Sequence, residues 1–179
     1  MRRDLKEARD SAVERYDFDS TDFSRVHQGL WIALLQLWAI DSYLLTARLG
    51  EWSVTHRLAV HLGPLFPKWD IDCEFNRDGI VPKRSQDGAI IRPDIIVHQR
   101  GKGYANLLAI EAKVCEDISP DDRSKMQEYK AKYHYRWGVC LKLDKSGFLI
   151  EWFSKGSSDV YHKDESTWVQ PSDNWPLDK

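Results

Sequence analysis

The chain has no strong excess of charge of either sign. Lys and Arg total 26 against 28 Asp and Glu, for a formal net charge of −2, and the pI is about 6.3. A strongly basic domain is the usual electrostatic footprint of a nucleic-acid binder, so any grip on phosphate must come from a local patch. Cysteine is scarce as well. Cys73, Cys115 and Cys140 lie far apart with no CxxC pair, which argues against a zinc cluster and reads as reduced, intracellular thiols. The charged opening MRRDLKEARD is followed by no signal-peptide apolar region. The longest apolar run, Leu30 to Ile40, contains Gln36 and stops at Asp41, a length that suits a core helix better than a membrane span. A soluble, cytoplasmic protein with no membrane partner is expected. The six histidines show neither HxH nor HExxH spacing. There is no nucleophile elbow for Ser-His-Asp catalysis and no phosphate-cradling Gly-rich loop.

What is present reads as one domain of 179 residues with terminal extensions. Leu5 to Tyr16 has the mixed charge of a solvated helix. From Asp22 to Leu49 apolar residues recur at helical spacing, with Gly50 as the expected break. A second helix is predicted over Glu51 to Leu62, stopped by Gly63-Pro64. Ile71 to Asn76 alternates, with Ile71, Cys73 and Phe75 on one face and Asp72, Glu74 and Asn76 on the other. Arg77 to Gly88 is polar and reads as a loop. Asp94 to His98 and Leu107 to Lys113 read as strands, their Ile95-Ile96-Val97 and Leu107-Leu108-Ala109-Ile110 being continuous apolar runs, as in strands covered on both faces, and the link holding Gly101 and Gly103 predicts a hairpin. Ser119-Pro120-Asp121-Asp122 starts a helix running to about His134, with a capping serine, a first-turn proline and acids at the dipole's positive end. Trp137 to Leu143 and Phe148 to Phe153 are strands joined by an Asp144-Lys145-Ser146-Gly147 turn. The tail carries Trp168 and Trp175 and is expected to pack on the core.

Two segments carry the chemistry: RPDIIVHQR, Arg92 to Arg100, and NLLAIEAK, Asn106 to Lys113. Side chains two apart on a strand share a face, so Glu111 and Lys113 point one way and Ala112 the other, its carbonyl still able to lie near a metal. Crossing an antiparallel pair brings Asp94, at the start of one strand, beside the end of the next. Two carboxylates suit Mg²⁺, which keeps waters for substrate oxygens, lowers the pKa of one and neutralises phosphate charge. Lys113 can orient or deprotonate the attacking water, or stabilise developing charge. The competing reading is a solvated Glu-x-Lys strand end, which contributes little.

RPDIIVHQR followed by NLLAIEAK resembles the PD-(D/E)XK nuclease superfamily, over roughly Glu51 to Leu143. The flavour is that of a bacterial and phage-type branch. The resemblance implies an α/β, restriction-endonuclease-like core (α-β-β-β-α-β), a mixed central sheet flanked by helices, with an N-terminal helical extension. Residues 1–50 would be that extension, 51–155 the nuclease core and 156–179 a tail packed on the core. It further implies Mg²⁺ or Mn²⁺ at Asp94 and Glu111, a catalytic Lys113, and DNA in preference to RNA.

Supporting residues remain two-sided. Glu51 shares a helical stripe with Thr55, Leu58 and Leu62, and the resemblance gives a first-helix glutamate a role in metal binding; it could equally complement the helix N-terminus. Glu74 could line the cleft, with Arg77 reaching phosphate beside a basic loop containing Lys83 and Arg84, or face solvent from an edge strand. Gln127 could position the substrate or lysine, as some branches of the superfamily do, or be an exposed helix residue. Arg123, Lys125, Lys130, Lys132 and Arg136 form a basic stretch that could contact phosphates or be a solvated face. Of the eight tryptophans, most suit core or interface and a minority could stack on bases. The rival to a Mg²⁺-dependent nuclease is a non-catalytic nucleic-acid- or protein-binding module on the same fold. A homodimer through the apolar N-terminal helices is compatible with both.

Overall fold

The computed structural model describes residues 21–78, 81–85, 87–102, 105–155 and 161–169, with 154–155 and 161–169 as backbone. The helix expected over Leu5 to Tyr16, Gly103, and Trp175 lie outside them. Helix α1 spans Phe23–Thr46, its first turn capped by Asp22, whose side chain accepts from the Arg25 N–H at 3.0 Å. A kink falls within the helix, ahead of the break expected at Gly50. Asp41 leaves helical geometry within α1, and its carboxylate is held by His61 at 2.7 Å and Arg57 at 3.1 Å on the next helix. Gly50 lies in the expected break between the helices and precedes helix α2, Glu51–Leu62, which ends in a single 3₁₀ turn at Gly63–Leu65.

Among the described residues eight strands follow in chain order with one helix among them: β1 Asp70–Cys73, β2 Arg77–Asp78, β3 Val81–Pro82, β4 Ile95–His98, β5 Asn106–Val114, helix α3 Pro120–Tyr133, β6 Trp137–Asp144, β7 Gly147–Lys155 and β8 Tyr161–Val169. Six strands form one mixed sheet in the order β1-β4-β5-β6-β7-β8. Only β5 and β6 run parallel, because α3 carries the chain back across the sheet between them. The hairpins expected between β4 and β5 and at Asp144 to Gly147 both form.

The expected strand over Ile71 to Asn76 is shorter. It stops at Cys73 because Glu74 takes a left-handed backbone, φ 49°, which breaks the extended pleat. The stretch expected to be a loop contains the small β2–β3 hairpin.

Strand alternation sorts the core into two layers. Ile95, Val97, Leu108, Ile110 and Ala112 pack with α1 and α2 through Leu30, Leu34, Leu58 and Leu62. Ile96, Ala109 and Cys140 pack on the other face against Met126, Tyr129 and Tyr133 of α3. By length and composition α1 could cross a membrane. Its inward residues Val26, Leu30, Ala33, Leu34 and Leu37 nevertheless belong to the same buried cluster as the sheet. Glu111 shares the Ala109 face of β5 and is turned towards α3.

Candidate active site

The last cross-strand pair of β4 with β5 at this end joins Ile95 to Ile110. Beyond it the Ala112 N–H has no β4 partner, and the Asp94 side chain takes that place, its Oδ2 accepting at 2.7 Å. This bond fixes the Asp94 carboxyl beside the end of β5. Ala112 thus enters the site through its N–H, while its methyl is buried with the helices.

Glu111 is only 6% exposed. Its Oε1 and the neighbouring Tyr129 hydroxyl are both buried and make no hydrogen bond of normal length and angle, although a buried carboxylate normally does; the hydroxyl is still close enough to favour the charged carboxylate a little. Burial pushes the Glu111 carboxyl up to about 8, and the Asp94 charge adds to the shift. Asp94 is likewise raised by burial, to about 6, against the lowering effect of the Ala112 N–H and with a further upward push from Glu51. Two carboxyls that both resist ionisation here are matched to a cation placed between them.

Lys113 stands at the outer end of the same strand face. Its Nζ lies 3.4 Å from both oxygens of Glu51 and 3.8 Å from Asp122 Oδ1. Burial lowers its pKa, but Glu51, Asp122 and Asp94 together outweigh that and hold the ammonium above its usual range. Asp122 was not a sequence candidate. It is the third residue of α3 and closes a capping box with Ser119, a signal that places the helix start but not its approach to Lys113.

An open cavity of about 310 Å³ borders Glu111, with Glu74, Arg92, Lys125 and Tyr129 around it and Ile90 and Ile91 as an apolar wall. Glu74 reaches this cavity from its left-handed turn, not from a strand face. Trp52 Nε1 donates to its Oε1 at 2.8 Å, and Arg92 donates to its Oε2 at 3.3 Å. Gln127 lies on the exposed side of α3 and is not among the cavity's lining residues.

The basic stretch on α3 divides by partner. Arg123 is paired with the buried Glu151 at 2.8 Å. Lys130 is buried and donates to the Tyr135 and Arg136 carbonyls. Lys132 donates to the Arg84 and Ser85 carbonyls. Lys125 alone of these borders the cavity, with Asp121 as its ion-pair partner. Lys83, read from sequence as part of a basic loop, is 2% exposed and donates to the Phe75 carbonyl and the Tyr135 hydroxyl. It pins the β2–β3 segment to the sheet and presents no charge to solvent. His98, on the Asp94 face, is paired with Asp72 at 2.8 Å.

The donor set fits a hard divalent ion in one respect. Glu111 offers a buried carboxylate oxygen with no well-formed hydrogen bond, and one Asp94 oxygen is engaged by the Ala112 N–H while the carboxyl stays fixed. Among the described residues no group of three or more His, Cys, Asp or Glu side chains could hold a metal ion. Mg²⁺ is commonly bound by one or two carboxylates, with water and substrate completing its shell, so this pair suits an open site and not a closed protein cage. Glu51 and Glu74 are turned to Lys113 and to Trp52 and Arg92. Comparison of the chain with protein-family models, curated proteins and solved structures finds no match in any of the three.

Proposed function

We propose that the chain is a divalent-metal-dependent nuclease that hydrolyses phosphodiester bonds in DNA, on a restriction-endonuclease-like arrangement of α2, β1, β4, β5, α3 and β6. The observation that carries this reading is the buried carboxyl of Glu111, which borders a cavity, beside an Asp94 anchored by a backbone N–H. Asp94 and Glu111 are the residues that would hold Mg²⁺ or Mn²⁺. When bound, such an ion polarises the scissile phosphate and makes a water more acidic.

The chain's own residues supply the rest. The Ala112 N–H holds Asp94 in one orientation, so its carboxyl needs no rearrangement on binding. Lys113 stays protonated among three carboxylates, which favours its role as a cation that neutralises developing phosphate charge over that of a proton acceptor. Glu51 and Asp122 position it. Arg92 and Lys125 border the same cavity and draw a polyanion towards a chain whose net charge is slightly negative.

Asp94→Ala and Lys113→Ala test the assignment. Each is expected to reduce metal-dependent cleavage by at least about 10²-fold while circular dichroism shows the fold retained. Full activity in both variants would remove the assignment.

A further inference from the structure

Trp52 stands on the first turn of α2 with 68% of its surface exposed, yet it is not free to swing. Its indole N–H is tied to Glu74 Oε1 at 2.8 Å. The other Glu74 oxygen accepts from Arg92 at 3.3 Å, and the Arg92 side chain is itself 55% exposed. Glu74 reaches both through a left-handed backbone that a residue with a Cβ adopts only against resistance. Glu74 and Arg92 line the same cavity as Glu111. An aromatic face, an orienting acid and a cation therefore run in sequence along the rim of the candidate active site.

From this juxtaposition we infer that Trp52 is a stacking platform for an unpaired nucleobase, with Arg92 contacting the adjoining phosphate. The protein would thus take single-stranded or frayed nucleic acid into the site. The inference rests on the nuclease reading and names its substrate class. An indole held by its N–H keeps its π-faces available and has little rotational freedom left to lose, which favours stacking. Base–aromatic stacking is tolerant of sequence and needs a base that is out of the duplex. Charge complementarity with phosphate comes from Arg92 and Lys125, the two cations lining the cavity. Stacking does not distinguish ribose from deoxyribose, so both sugars belong in the test.

Fluorescence anisotropy with end-labelled 15-mers of single-stranded DNA, single-stranded RNA and blunt duplex DNA decides the matter, with Ca²⁺ present. Wild type, Trp52→Ala, Trp52→Phe and Glu74→Ala are compared as full chains. Trp52→Ala is expected to weaken single-strand binding about tenfold. Trp52→Phe should retain most of it, and duplex binding should change less than about twofold in either variant. Glu74→Ala, which frees the ring without removing it, should give a smaller loss. If only one of the two single strands responds to Trp52, that strand is the ligand. No single-strand binding by wild type, or equal losses for single strand and duplex, would overturn the platform. The outcome is separable from the nuclease reading, because Trp52-dependent binding without any metal-dependent cleavage would leave the platform standing and remove the catalytic assignment.

Discussion

On the nuclease reading, Glu111 is the residue at which stability and function pull apart. Its raised carboxyl gives a definite sign to the pH dependence of the metal-free protein. A folded-state value of about 8 lies above the ordinary 4.5, so between these values the folded chain binds more protons than the unfolded one. Stability from this group is present at low pH and is lost as pH rises through 8. Asp94 acts in the same direction over a lower window, up to about 6. Thermal melts in EDTA are therefore expected to fall from pH 5 to pH 9, and Glu111→Gln should flatten the upper part of that slope. An unchanged slope in the variant would show that Glu111 does not titrate in this way. Saturating Mg²⁺ or Mn²⁺ should raise the melting temperature at pH 8, since a ligand of the folded state stabilises it, by ~1.4 kcal/mol at ten times Kd. Asp94→Asn should remove most of that rise. A shift of equal size in the variant would place the ion elsewhere.

At the scale of elements, the site depends on how closely α3 lies on the sheet. A Cβ added at Gly138 of β6 would fall 2.5 Å from Met126 Sδ and 2.9 Å from Lys130 Cδ. Both side chains are fully buried, so they have little room to give. Gly138→Ala is expected to destabilise by about 1–3 kcal/mol and to move the helix that carries Lys125 and Tyr129; denaturant unfolding measures the first effect. A change under about 0.5 kcal/mol would mean that α3 is less tightly seated than its contacts indicate. The elements themselves were largely legible in the sequence where their signals are local. The Ser119 cap, the apolar runs of β4 and β5 and the Asp144 to Gly147 turn each depend on neighbours a few residues away. The end of β1 was not legible, because the left-handed turn at Glu74 is stabilised by Trp52 and Arg92, 22 and 18 residues distant. Lys83 was misread for the same reason. Its charge pattern suggested a solvated loop, while its amine is enclosed by Phe75, Tyr133 and Tyr135.

For the molecule as a whole, one mixed sheet with helices on both faces brings together residues from five separated segments. Asp94, Glu111 and Lys113 could be placed together from strand alternation and a hairpin, both short-range rules. Asp122 and Tyr129 could not, because their approach depends on the parallel crossover through α3. The same crossover turns Gln127 outward. With a net charge of −2, long-range attraction to nucleic acid is weak. On the nuclease reading, binding should rest on the few cations at the rim and fall with salt according to their small number.

The measurement that bears most directly on the nuclease reading is a cleavage assay on single-stranded, duplex, nicked and branched DNA and on RNA. Wild type and Asp94→Ala would be compared in Mg²⁺, in Mn²⁺ and in EDTA. The expected result is cutting by wild type with either metal, none in EDTA and none by the variant. Cutting that persists in EDTA or in Asp94→Ala, or no cutting of any substrate by wild type, would contradict it.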